Sequence, residues 1–139
     1  MDNKLKIFDS HVHTHFAYCS RNDMFPEKTI KIAKNKGYGI CLVEHAGQLY
    51  VKSEDFWNEN IVNKPKLIYD NSTNRMDDYI SYVSNYRESD VKLGLELDMN
   101  SEGKVTLRPE HADSFEIFLG AVHYIPDGFS DIDKGYMWN

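Results

Sequence analysis

Cysteine is scarce in this chain of 139 residues: Cys19 and Cys41 are the only two. Without a secretory signal they read as thiols, not as a disulfide framework. No run of about eighteen apolar residues occurs, so no membrane-spanning helix is expected. The N-terminus "MDNKLKIFDS" is charged and lacks the apolar core of a signal peptide, which makes a cytoplasmic, non-membrane protein the expectation. Basic residues are also in deficit, 16 Lys and Arg against 22 Asp and Glu, for a net charge of -6. Such a field repels nucleic acid, so no nucleic-acid partner is expected. Neither a Walker glycine loop nor G-x-S-x-G is present, which removes support for nucleoside-triphosphate binding and for serine hydrolase chemistry. Repeats, low-complexity tracts and linkers are absent too, and a hydrophobic content of 41% fits a single domain over residues 1–139.

What the chain does have is histidine in a pattern. In "LKIFDSHV" alternate residues share a face, which places Asp9 and His11, and then His13, on one side of a predicted strand over 5–12. Two rises of a strand set the two imidazoles about 6.5 Å apart along it. "PEKTIKIAKNKG" reads as a helix with Pro26 in its first turn, Ile30 and Ala33 spaced for burial and Gly37 as a stop. "GICLV" is a short buried strand that ends in Glu44-His45, with Cys41 in the core. Residues 46–72 read as a long polar loop of the kind that forms lids or binding loops. A second helix is expected over 74–87, with Met76, Tyr79, Ile80, Val83 and Tyr86 as a core stripe. "VKLGLELDM" is a third strand with Gly94, Glu96 and Asp98 on one face, a brief strand lies near Val105, and "FEIFLGAVH" is a last strand ending at His123. Strands alternating with helices predict an α/β fold with a largely parallel sheet.

His11, His13, Glu44, His45, Glu96 and His123 therefore stand at or beside the C-terminal ends of four strands, the edge where α/β sheets assemble their sites. Imidazole with carboxylate suits zinc, iron or manganese.

These residues resemble a known family. "DSHVHT", "VEH", "GLELD" and "GAVH" are similar, in order, to motifs of the PHP (polymerase and histidinol phosphatase) superfamily, over about residues 7–125. The "HVHTHF" context and the size look most like the histidinol-phosphatase-type phosphoesterases of histidine biosynthesis. The resemblance implies a distorted β/α barrel and one to three divalent ions. His11, His13 and Glu96 would hold one ion, Glu96 would bridge to a second with His123, and His45 would face a third. The residue six positions after His13, commonly His or Asp in relatives, is Cys19 here. It is either a soft thiolate ligand or a small turn cysteine.

Other residues carry weaker expectations. Asp9 is assigned to orienting an imidazole and Glu44 to a supporting role. His15 faces substrate or lies past a bend, Arg21 clamps a phosphate or is solvated, and His111 is an ordinary surface histidine. Glu96, His45 and Arg21 are the residues assigned to catalysis. The family's later ligands, a His and an Asp-x-His, have no counterpart in "YIPDGFSDIDKGYMWN". The expectation is thus an N-terminal, incomplete barrel that pairs as a homodimer or with a missing C-terminal part. The leading function is a phosphatase acting on a small phosphorylated substrate, and the alternative is a non-catalytic or partner-dependent metal-binding fragment. A polymerase-type nuclease fits the acidic charge less well, and an amidohydrolase-like reaction would use similar histidines.

Overall fold

The computed structural model describes residues 7–123, so the first six residues and the tail from 124 onward lie outside the described residues. Four strands, β1 (Phe8–Val12), β2 (Gly39–His45), β3 (Val91–Leu97) and β4 (Ile117–Gly120), form one curled, fully parallel sheet in the order β1-β2-β3-β4. Sequential parallel order is the arrangement of a β/α barrel wall, and the α/β expectation holds at that level. β2 is buried along its whole length, as an interior strand with neighbours on both edges should be.

The first helix, α1 (Pro26–Asn35), starts and stops on chemistry legible in the sequence. Proline occupies its first turn with Glu27, Lys34 lies in its last turn, and Ile30 and Ala33 are buried one turn apart. Gly37 then adopts φ +76, a left-handed conformation that ends the helix at little steric cost.

Residues 46–72 correct an expectation. Instead of a lid-like loop they form short helices: α2 (Ala46–Tyr50), α3 (Ser53–Trp57), α4 (Asn60–Asn63) and 3-10 turns at Pro65–Tyr69 and Asn71–Thr73. Helices of one or two turns are too short to show helical periodicity in sequence. Each is nevertheless pinned by apolar side chains, with Leu49, Phe56, Ile61 and Ile68 all buried. The last helix of the described residues, α5 (Met76–Ser84), buries Met76, Tyr79 and Val83 as the core stripe predicted. Arg75 at its N-cap makes no side-chain cap bond; instead Asn74, one residue earlier, accepts the Met76 backbone N–H through its side-chain oxygen at 2.9 Å.

Two further details depart from expectation. Val105 makes only an isolated antiparallel bridge with Met99. β4 stops at Gly120, so His123 is carried three residues beyond the strand, not on it. The cause of close β3–β4 spacing is Gly94, which pairs with Val43 on one side and Ile117 on the other. A Cβ built there would lie 2.7 Å from the Ile117 carbonyl oxygen and 3.1 Å from a Val43 methyl. Gly94→Ala is therefore expected to destabilise the fold by about 1–3 kcal/mol through overpacking. Urea unfolding followed by circular dichroism measures this, and an unchanged midpoint would contradict it.

Candidate metal centre

The parallel register brings the chemistry together. His45, the last residue of β2, lies directly opposite Glu96 on β3. On β1, His11 points to the same rim, and its ring meets that of His13 edge-on with centroids 4.8 Å apart. His13 in turn stacks on His45 at 4.5 Å. Glu96 stands at the middle of this group. Its Oε2 lies 2.9 Å from His11 Nε2, 3.5 Å from His13 Nε2 and 3.2 Å from His45 Nδ1, while His123 Nε2 is 3.3 Å from Oε1.

Second contacts orient these rings. The Val43 carbonyl oxygen lies 2.7 Å from His13 Nδ1. A carbonyl can only accept, so Nδ1 is the protonated nitrogen and Nε2 keeps the lone pair. His123 Nδ1 is bonded to the carboxylate of Asp98, which is itself 2% exposed. Cys19 Sγ lies 3.4 Å from His45 Nε2 and 3.9 Å from the Gln48 amide nitrogen. Gln48 is fixed because its Oε1 accepts the Tyr18 backbone N–H at 2.5 Å.

Electrostatics sort the group into proton carriers and lone-pair donors. Burial lowers His45 to about 3 and pushes His13 below the usual histidine range, so both are neutral at physiological pH. Hydrogen bonds to Asp98 and then Glu96 raise His123 to about 10, against its burial. Burial acts to raise Glu96, but the hydrogen bond from His123 and the nearby imidazoles outweigh it and hold the carboxylate at about 2. Desolvation raises Cys19, which leaves it a thiol until an ion displaces its proton.

The donor set fits divalent cations. Three groups have their ligand atoms within 4.8 Å of one another: His11, His13 and Glu96; His45, Asp98 and His123; and His13, Cys19 and His45. Two buried polar atoms here, His45 Nδ1 and Asp98 Oδ2, have no hydrogen-bond partner, as expected of atoms placed to face a cation. All six ligands named from the sequence, His11, His13, Cys19, His45, Glu96 and His123, enter these groups. Asp98 enters one of these groups without having been named as a candidate ligand from the sequence, although its place two residues after Glu96 on the same predicted face was the available signal.

The remaining expectations divide. Glu44 is fully buried, its Oε1 accepts the Thr14 backbone N–H at 2.5 Å, and burial pushes its carboxyl up to about 8. It supports the turn after β1, as expected. Asp9 does not orient an imidazole: its exposed carboxylate accepts the His11 backbone N–H at 3.3 Å. His15 packs among Phe16, Phe25 and Tyr82. Arg21 is held by Asp23 at the surface, with Nε–Oδ1 at 3.0 Å and its side chain 82% exposed. His111 corrects the expectation of a surface histidine. It is buried in the 3-10 turn Pro109–Ser114, with Nδ1 2.8 Å from the Tyr50 hydroxyl and Nε2 3.2 Å from Asp77. Cys41 is buried, as predicted.

Among the described residues no helix is long and apolar enough to cross a membrane. Comparison with known proteins adds no relative: no family model, no curated protein and no solved structure matches this chain.

Because His123 holds a proton between two carboxylates, a cation binding there must displace it. Affinity for manganese is expected to rise from pH 6 to pH 8, with at least about one proton released per chain. Calorimetry in buffers of different ionisation enthalpy checks this, and pH-independent binding without proton release would contradict it.

Proposed function

We propose that this chain is a metal-dependent phosphoesterase of PHP type, similar to the histidinol-phosphate phosphatases, which hydrolyses a small phosphate monoester in the cytoplasm. The observation that carries this reading is Glu96, a buried carboxylate on β3 with four imidazoles around it from the ends of the three other strands. The two groups that contain carboxylates, His11–His13–Glu96 and His45–Asp98–His123, share no residue and so can each serve an ion at the same time. Bound divalent ions supply Lewis acidity, acidifying water and neutralising phosphoryl charge.

The chain's own residues do the rest. Glu96 faces both groups, with Oε2 toward His11 and His13 and Oε1 toward His123, and so couples them. Asp98 and the Val43 carbonyl set the orientation of His123 and His13. A ligand held in this way cannot rotate out of position as charge develops on a bound phosphate ester. The N-terminal part of a distorted β/α barrel is the fold this reading needs, and the four sequential parallel strands support it.

Glu96→Ala tests the assignment. Manganese content is expected to fall by one ion or more per chain and the rate on a small phosphate monoester by at least about 100-fold. Unchanged metal content and rate would sink the reading.

A second reading, a metal-binding fragment that needs a partner, draws on the sheet edges. Among the described residues β1 and β4 each pair on one side only, and Phe118 in β4 and Val122 just after it are 43% and 68% exposed. Open parallel edges favour pairing with another chain. Native mass spectrometry is expected to show a dimer; a monomer that turns over phosphate ester would exclude this reading.

A further inference from the structure

Cys19 reaches the metal centre from an exposed turn, with no strand or helix of its own to fix it. A ligand on a turn needs support from its surroundings to keep the geometry a cation demands. Two side chains of one short stretch meet its sulfur. His45, the last residue of β2, brings Nε2 to 3.4 Å, and Gln48, three residues on in α2, brings its side-chain nitrogen to 3.9 Å. Residues three apart lie on one side of a helical turn, so the same piece of chain presents both.

The partners of the Gln48 amide fix which way it faces. Its Oε1 accepts the Tyr18 backbone N–H at 2.5 Å, which only the oxygen end can do. The NH2 end is thereby left to the neighbouring sulfur. Gln48 is itself held in place: it is 1% exposed, and its carbonyl oxygen accepts Arg75 Nη2 at 2.8 Å. The Arg75 guanidinium lies over the Tyr18 ring, 4.4 Å from its centroid, and the Tyr18 hydroxyl donates to the Val51 carbonyl at 2.7 Å. Together α2 and Arg75 clamp the residue before Cys19, while the Gln48 amide goes on to the sulfur. A thiol is a weak acceptor, but a thiolate carries charge, and a hydrogen bond to an ionised group is about twice as strong as a neutral one. The Gln48 donor therefore acts most once an ion holds the sulfur.

We propose that Gln48 is a positioning residue for Cys19 as a metal ligand: its Oε1 sets the turn that aims the sulfur, and its NH2 donates to the thiolate when a cation binds. On binding, the Cys19 thiol gives its proton to solvent, the sulfur bonds the ion, and the Gln48 N–H stays on the sulfur. The inference rests on the metal-dependent reading above and deepens it, since a residue outside the ligand set governs how strongly one ligand donates.

The full chain loaded with cobalt is the test, read by the thiolate-to-cobalt charge-transfer band. Wild type is expected to show the band and Cys19→Ser to lack it. Gln48→Met removes donor and acceptor at nearly constant length. Its band is expected at longer wavelength, because a thiolate without the hydrogen bond gives up charge more readily, and its cobalt affinity is expected to fall about 10-fold. Tyr18→Leu loosens the turn without touching the amide, and is expected to lower affinity with the band in place. A Gln48→Met band at the wild-type position would overturn the proposal even if affinity falls, since a merely structural loss changes how much cobalt is bound and not the energy of the bound sulfur. Cobalt binding to wild type without a thiolate band would overturn it too. Nuclear magnetic resonance of cadmium-loaded, isotopically labelled wild type supplies a readout that needs no variant to fold: the ion is expected to couple through Sγ to the Gln48 side-chain amide protons, and absent coupling would overturn the proposal. A chain that shows these signatures and hydrolyses no phosphate ester would sink the phosphoesterase reading and leave this one standing.

Discussion

The contact on which the site depends is the Glu96 carboxylate, buried at the C-terminal end of an interior strand and faced by four imidazoles. An ionised carboxylate taken out of water costs several kcal/mol unless partners replace its hydration. Here each partner arrives from a different stretch of chain: β1, the turn after it, the end of β2, and the segment after β4. The carboxylate therefore ties the four strand ends together, and the sheet register is what delivers them. A one-residue slip between β2 and β3 would take His45 from opposite Glu96 and turn its side chain to the other face. Gly94, two residues before Glu96, keeps β3 close to both neighbours and so belongs to the site's geometry as much as to the core's.

Around that contact the protein sets protons as deliberately as it sets rings. The Val43 carbonyl fixes the His13 tautomer, and Asp98 takes the far nitrogen of His123. Bonding to carboxylates, not depth, separates the two kinds of histidine. His45 and His13, desolvated without a carboxylate hydrogen bond of their own, stay neutral; His123, bonded to two carboxylates, holds a proton. One fold thus presents ready lone pairs on one side of Glu96 and a displaceable proton on the other.

Much of this could be read from the chain before any coordinates. Period-two alternation put His11 and His13 on one side, and the apolar runs of β2 and β3 ended at His45 and Glu96 because a parallel sheet puts functional groups at its C-terminal edge. What escaped was set by tertiary contact. His111 carries no local sign that the Tyr50 hydroxyl will meet it, because the two are sixty-one residues apart. The segment after His45 is polar enough to read as loop, and only the buried Leu49, Tyr50 and Ile61 disclose that it packs as helices. Asp98 looked like the last residue of a strand, and its role depends on where the chain goes after β4.

The charge balance of the centre bears on the kind of substrate it would suit. Glu44 immediately precedes His45 on β2, but burial lifts it to about 8, so near neutral pH it is mostly a carboxylic acid and adds little negative charge. Cys19, raised by desolvation, is likewise neutral while no ion holds it. The fixed negative charge of the groups is then confined to Glu96 and Asp98, one carboxylate in each of the two compatible ligand sets. Two divalent cations against two carboxylates leave a surplus of two positive charges, which complements a phosphate monoester dianion. A thiolate in the ligand set would add one negative charge against that surplus, so the chemistry of residue 19 bears on both the ion chosen and the field a phosphate would meet.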